Sequence, residues 1–472
     1  MMMNGLSTRL RALPTRPLAA GLAAVFAASA SLATAATAEG ANGLTALLDR
    51  MAIKVPAAPA RPELIVSNCD DSGAGSLRDT IINAVDGDTI DLTQLNCSEI
   101  TLTTGAIIFG QSDLYINGPG ANELLINGGL NGAVLYHLGT GTLIVDEVSI
   151  GYSFKYRSDV DVLGSCVHTQ GNVLLDRVHI STCNTVSAAN HAALGGAVWA
   201  AGTVQLDHSV ITMSEAHATG YGYASGGGVY ANDGFVSLYS TVSYNVALSE
   251  SATPTFGGGV FARGGVLVLG STASGNQAAR MGGFALADNN GSPATFANST
   301  VSGNRANRIG GIYARPQLNL YNSTIAFNTS HEWTDGTSYF GAGVHVAVPG
   351  EMDSTIIANN VNDGAPFPTT DLTGAAGSGF NGGHNNVMFC GAACPNDTSH
   401  EDPGLHPLQD NGGLTRTHVP TPGQWDTFGG TNPLNLLWDQ RGPGFPRQSP
   451  GDWPEIGALQ INSDIIFANG FN

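Results

Sequence analysis

Three aspartates stand out by spacing. Asp146, Asp176 and Asp207 step by 30 and 31 residues. A chain that repeats at that interval would stack the three carboxylates on adjacent rungs, roughly 5 Å apart. Carboxylates that close repel, and a cation relieves the repulsion. Calcium is the candidate ion, and no other cofactor is implied. A cation beside a base that removes a proton is elimination chemistry, and Arg177 and Lys155 are the nearest basic residues. Glycoside hydrolysis would need two carboxyls at a set separation. The simpler reading of the row is a solvated acidic edge, and it is the preferred one.

A second row is aromatic. His168, Trp199, Tyr230, Phe261, Leu286, Tyr313 and His345 each follow a glycine pair or its equivalent. Flat rings in a repeating row suit a repeating sugar polymer, so His168, Trp199, Tyr230, Phe261, Tyr313 and His345 form a candidate glycan-contact column. The plainer alternative is that these rings only stiffen neighbouring rungs. Other chemistry lacks its motif. The chain has no His-Glu-x-x-His pair, no Gly-x-Ser-x-Gly elbow and no phosphate loop. Gly377-Ser-Gly-Phe-Asn-Gly382 imitates a dinucleotide fingerprint, but no helical pattern follows it.

What must position these residues is the repeat. Gly195-Gly-Ala-Val-Trp-Ala200 recurs as Gly226-Gly-Gly-Val-Tyr-Ala231 and Gly257-Gly-Gly-Val-Phe-Ala262, with weaker copies at Gly282, Gly310 and Gly341 and a forerunner at Gly164. The steps are 31, 31, 31, 25, 28 and 31. A linked block ends in Asn245, Asn276, Asn304, Asn328 and Asn359, as in Ser299-Thr-Val-Ser-Gly-Asn304. Each period holds short alternating runs such as Val266-Leu-Val-Leu269, bounded by Gly, Asn and Ser, and no helix-period run. Three short strands per period describe a right-handed parallel β-helix, all-β, with rungs about 4.8 Å apart. The five asparagines should stack as a buried ladder, each amide bonding the rungs above and below. Cys183 holds the equivalent place two copies before Asn245. The Val or Ile before each ring points inward, so the ring column points outward.

Composition narrows the class further. Charged residues are only 12% of the 472, glycine numbers 63, and hydrophobics reach 42%. That excludes disorder, collagen and coiled coil. A formal charge of −19 repels phosphate backbones, so nucleic acid is not an expected partner. Arg9, Arg11 and Arg16 precede an apolar run from Leu18 to Ala36, and Ala36-Thr-Ala38 supplies a cleavage site: a signal peptide over 1–38. No later stretch is apolar for long enough to span a membrane, and the mature chain is expected to be an exported monomer. Six cysteines in an exported chain read as disulfides, with Cys69 and Cys97, Cys166 and Cys183, and Cys390 and Cys394 as neighbours that would pair locally. A zinc site at Cys390 and Cys394 would lack a second ligand pair. His400, Glu401, Asp402 and His406 are weaker still as metal ligands.

The ends carry a resemblance. Ser76 is a candidate N-cap before Leu77, Ile81 and Ala84, a short amphipathic helix suited to covering the open end of a solenoid. Gly73-Ala-Gly-Ser-Leu-Arg-Asp-Thr-Ile81 with Gly87-Asp-Thr-Ile90 resembles the CSLREA-type segment that opens many bacterial surface β-helix proteins. The Gly-Gly-x-Val and x-x-Asn repeats resemble those of polymorphic outer-membrane proteins. Asp402-Pro-Gly-Leu-His-Pro-Leu408, Asn411-Gly-Gly-Leu-Thr415, Asp439-Gln-Arg-Gly442 and Glu455-Ile-Gly-Ala458 are similar to that family's C-terminal module, and Ile466-Phe-Ala-Asn-Gly-Phe471 to its short tail. Cys69 lies seven residues before Ser76, whereas the family has Cys directly before Ser-Leu-Arg. Pro422-Gly-Gln-Trp-Asp-Thr427 replaces the usual Ser-Pro-Ala-Ile-Asp. The resemblance implies a fold and a surface location rather than an activity.

The resulting expectation is a signal peptide (1–38), a linker (39–62), an N-terminal cap (63–98), a parallel β-helix (99–362), a Pro/Gly-rich module (363–460) and a tail (461–472). The expected function is non-enzymatic adhesion or glycan contact along the repeat face. The alternatives are a calcium-dependent polysaccharide lyase or glycoside hydrolase, and a spacer without ligand.

Overall fold

The computed structural model describes residues 41–53, 63–251, 253–287, 291–332, 341–364, 371–421, 429–447 and 453–461. The segment expected as a signal peptide, 1–38, and the terminal segment 466–471 lie outside them. The alternating runs become short strands, each paired in parallel with its equivalent one turn away; Asn172–Asp176 lies between Thr142–Asp146 and Val204–Asp207. Three long sheets result. The first face has 12 strands, from Leu64–Ile65 to Phe380–Asn381; the second has 15, from Glu99–Thr101 to Thr398–Ser399; the third has 10, from Ile107–Phe109 to Leu372–Gly374. This is a parallel β-helix of about ten turns. It begins earlier and ends later than residues 99–362, because strands also form within the cap and within the module.

One turn shows why the sequence winds. Val167, Val173, Leu175 and Ile180 point inward from the three faces and are fully buried. Phe235, Phe284 and Phe296 fill the same core higher up, the last two edge to face at 4.9 Å. Between first and second faces the chain bends through one left-handed residue per turn: Glu147, Arg177, His208 and Tyr239 have φ of 51°, 49°, 48° and 47°. A second left-handed column follows with Tyr152, Thr182, Met213 and Tyr244. The glycine anchors answer two demands. Gly226 has φ +64°, and a Cβ on Gly227 would lie 2.3 Å from the carbonyl oxygen of Gly258.

Two ladders pin the corners. Asn245 and Asn276 each donate from N and Nδ2 to the Oδ1 of the next asparagine, at 2.9–3.0 Å, and Asn304 does the same to Asn328. Below them, Cys183 N donates to Ser214 Oγ and Ser214 N to Asn245 Oδ1. The ladder's next member is Asn360, not Asn359. Asn359 has φ 59° and belongs to the left-handed corner column. A serine ladder runs in parallel from Ser209 through Ser240, Ser271 and Ser299 to Ser323, each N donating to the next Oγ.

The ends are covered and stapled. Ser76 caps the helix Leu77–Asn83 by accepting from Asp79 N at 3.2 Å, and Leu77 and Ile81 are fully buried in the solenoid core. Disulfides join Cys69 to Cys97, Cys166 to Cys183, and Cys390 to Cys394. The segment expected as a linker contains a helix, Ala41–Met51. Its Leu44, Leu47, Leu48 and Met51 pack on Val236, Leu238, Leu267 and Leu269, outward residues of the first face. Their apolar spacing at i, i+3, i+4 and i+7 gives that helix one sticky face. No helix of the described residues is long and apolar enough to cross a membrane.

The C-terminal module lies along the solenoid. Thr272 Oγ1 donates to Arg416 O, Thr300 Oγ1 donates to Gln440 Oε1, and Thr324 Oγ1 accepts from Ala458 N. These threonines point outward from successive rungs of the second face. Glu455 sits 1% exposed within the module, and burial pushes its carboxyl up to about 7. An acid raised in the folded state adds stability below its unfolded value and loses it as pH rises through its folded one. Glu455→Gln should therefore remove a decline in stability between pH 4.5 and about 7. Urea unfolding of both chains at the ends of that window checks this, and parallel pH profiles would refute it.

Candidate functional site

The aspartate row forms as spaced. Asp146, Asp176 and Asp207 are in register at the C-terminal ends of adjacent first-face strands. The next residue of each strand is a left-handed corner residue, so Glu147, Arg177 and His208 also stack. The interval places four carboxylates, one guanidinium and one imidazole on three neighbouring rungs.

Arg177 is already engaged. Its Nη2 donates to Asp146 Oδ1 and Oδ2 at 2.8 and 3.0 Å, and its Nε to Glu147 Oε1 at 2.8 Å. Its Nη1 lies 2.8 Å from Asp176 Oδ2, close enough for charge attraction. Asp176 is 2% exposed, and neither of its oxygens has a hydrogen-bond partner. Asp207 Oδ1 and His208 Nδ1 are 2.5 Å apart. Burial, then the facing carboxylates Asp146 and Asp207, push Asp176 up to about 7. Burial also raises Asp146 to about 6 against the pull of Arg177. The hydrogen bond to Asp207 raises His208. One guanidinium does not neutralise this row.

The second candidate base is elsewhere. Lys155 Nζ donates to Leu163 O at 2.6 Å and lies 4.6 Å over the Tyr136 ring. Burial draws it down to about 8, but it belongs to the opposite corner of the turn, among the third-face rings. An elimination site built from the aspartates and Lys155 is not assembled.

The ring column is assembled but mostly covered, with Trp199, Phe261 and Tyr313 half-buried. His168, Trp199, Tyr230 and Phe261 pair across successive rungs; the column then passes through Ala285, not Leu286, to Tyr313 and His345. Leu286 faces inward because Phe284 takes the place of the core valine. Ring faces are used on one another: His168 stacks on Tyr136 at 4.0 Å and on Trp199 at 4.7 Å, and Tyr230 on Phe261 at 4.8 Å. His168 is fully buried, and Tyr230 and His345 nearly so. The chain before each glycine anchor folds back over the rings. Leu163, Ala192 and Leu194 cover Trp199, Tyr230 and Phe261, while Phe256, Met281 and Ile309 cover Phe261 and Tyr313. A polymer could not lie along this column without displacing that layer. The sequence carried a signal for it: Leu163, Leu194, Phe256, Met281 and Ile309 each directly precede an anchor glycine.

The exposed rings lie elsewhere. On the long strand Ser149–Arg157, Tyr152, Phe154 and Tyr156 alternate outward and are 47%, 41% and 52% exposed. The adjoining rungs place Asn184 and Glu215 beside Phe154, and His217 two rungs from Tyr156. Met213 and Tyr244 extend the exposed corner upward. Phe154 and Tyr156 fall outside the glycine and asparagine blocks, while Tyr152 and Tyr244 share the corner place just before the ladder position, so a repeat-based reading passes over the row. The alternation of aromatic residues at 152, 154 and 156 was its signal.

The remaining metal candidate dissolves. His400 lies near Cys390 and Cys394, but their disulfide consumes both thiolates. Compared with family models, curated proteins and solved structures, the chain matches none.

Proposed function

We propose that the protein is an extracellular, non-enzymatic β-helix that contacts a polysaccharide through the outward row Tyr152, Phe154 and Tyr156. One observation carries this reading: three aromatic side chains on one strand stand exposed while the rings of the repeat's own column are buried or half-buried. Contiguous exposed apolar surface of this kind marks an interaction site. Tyrosine joins a flat apolar face to a hydroxyl, which suits the CH faces and hydroxyls of sugars. Asn184, Glu215 and His217 supply hydrogen-bonding groups on rungs about 4.8 Å apart. Three disulfides suit an oxidising compartment. The CSLREA-like opening and the polymorphic outer-membrane-protein-like repeats agree with a cell-surface location.

The test is retention of the purified chain on a panel of immobilised acidic and neutral polysaccharides. The expected result is retention on at least one polymer, weakened tenfold or more by combined Tyr152→Ala, Phe154→Ala and Tyr156→Ala. Trp199→Ala should leave retention unchanged unless it disturbs the fold, which circular dichroism reports. New reducing or unsaturated ends in the same incubations would replace this reading with a hydrolase or lyase. Neither retention nor product would leave a spacer.

A further inference from the structure

We infer that Asp176, Asp207 and His208 form a binding site for one divalent transition-metal ion of the zinc type. The inference is independent of the polysaccharide reading. One ligand atom from each of the three residues can be chosen so that all lie within 4.8 Å of one another. Small side-chain rotations would bring them to the shorter separations of one coordination sphere.

Proximity of acids alone would not carry this. The second observation is the state of Asp176. It is 2% exposed and both its oxygens lack a hydrogen-bond partner. A buried carboxylate without hydrogen bonds is costly unless something else satisfies it. Arg177 supplies charge to Oδ2 from one side, but its hydrogen bonds go to Asp146 and Glu147. On the other side lie Asp207 and His208, which pair with each other and leave Asp176 Oδ1 unanswered, and among the described residues no second guanidinium pairs with either aspartate. An ion there would satisfy Asp176 and neutralise Asp207 together.

The donor set selects the metal. Calcium takes oxygen ligands, six to eight of them. Two carboxylates with one imidazole nitrogen are a mixed set that zinc and its first-row neighbours accept. Histidine is what distinguishes this site from the plain aspartate row. It occupies the left-handed corner position, which carries its ring beside the carboxylate of the preceding residue. Arg177 would then act one step out, holding Asp176 and Asp146 in place as groups behind a metal ligand commonly do.

The experiment is calorimetric titration of the full chain, stripped with chelator, with zinc and separately with calcium. Asp176→Asn and His208→Ala chains are titrated alongside. Twelve histidines give the chain several places for weak surface binding of zinc, so the readout is a difference in stoichiometry. The wild type should bind one more zinc than either variant, and calcium at least tenfold more weakly. Cobalt substitution gives a second readout: a visible band that needs His208 nitrogen should vanish in His208→Ala. Asp176→Asn keeps the side-chain shape, and an unchanged circular dichroism spectrum would show that the corner still folds. Equal zinc stoichiometry in all three chains would overturn the proposal. So would calcium binding that survives His208→Ala and exceeds zinc binding. Neither result bears on polysaccharide retention, which depends on a different strand.

Discussion

Asn276→Leu is expected to lower the unfolding free energy by about 4 kcal/mol, on the scale of one to three for each buried polar group left unpaired. Asn276 is fully buried. Its Oδ1 accepts from Asn245 N and Asn245 Nδ2, both at 3.0 Å. Its Nδ2 donates to Val242 O and to Asn304 Oδ1, both at 2.9 Å. Leucine has the same number and branching of side-chain heavy atoms and is bulkier, so no cavity opens and the cost comes chiefly from orphaned groups. Among the described residues Asn245 N has no other acceptor, and the corner is fully buried. The ladder's upper end shows why an amide is required in the middle. There Asp371 accepts from Asn360 N and Nδ2 at 2.8 Å and from Phe389 N at 3.0 Å. A carboxylate suffices where the ladder ends and nothing further needs a donor. Urea unfolding with a matched m-value measures the loss, and a change below about 1 kcal/mol would refute the account.

Arg447→Ala should detach the C-terminal module from the solenoid, at a cost of about 3–5 kcal/mol, as when a buried ionic network loses one member. Arg447 has no exposure, and burial draws its guanidinium down to about 10. Its Nη1 donates to Gly457 O at 2.9 Å, and its Nη2 to Ala458 O at 2.8 Å and to Asn298 Oδ1 at 2.5 Å. Asn298 is a corner residue of the solenoid, and its Nδ2 in turn donates to Trp438 O. One guanidinium therefore ties three segments together. Removing it also leaves Glu455 and Asp439 buried with less positive charge beside them. Limited proteolysis should cut the variant between the solenoid and residue 447 under conditions that spare the wild type. The solenoid's far-ultraviolet signal should persist. Equal resistance in both chains would show that the remaining bonds suffice without Arg447.

The places where the sequence and the structure diverge are instructive because they are single-residue slips. Ser354-Thr-Ile-Ile-Ala-Asn359 looks like one more copy of the asparagine block. In the structure Ile325 pairs with Ile357, so Thr355 takes the serine place and Asn360 the ladder place. Ser354 is pushed into the left-handed corner. Which of two adjacent asparagines enters the ladder is settled by which isoleucine the core accepts, and a slip of one residue would reverse every side chain. The Leu286 slip has the same cause: Phe284, not Ala285, fills the core beside Phe235 and Phe296.

The solenoid was legible in the chain before any tertiary contact was known. Its period, its alternating runs and its glycine and asparagine blocks are local properties, and stacking repeats them without reference to anything distant. Equally legible was that Asp146, Asp176 and Asp207 share a row, since equal intervals on stacked rungs leave no other arrangement. The tertiary structure decided which rows meet solvent. The ring column closed because the residues before each glycine fold back across it, the first face gained the helix Ala41–Met51, and part of the second gained the C-terminal module. Burial is a sum over segments remote in the chain, so periodicity can say which way a side chain points but not what arrives to cover it. The same holds for the acidic corner. Spacing gathers the carboxylates, but only the left-handed backbone at Arg177 and His208 settles which of them receives a guanidinium and which an imidazole.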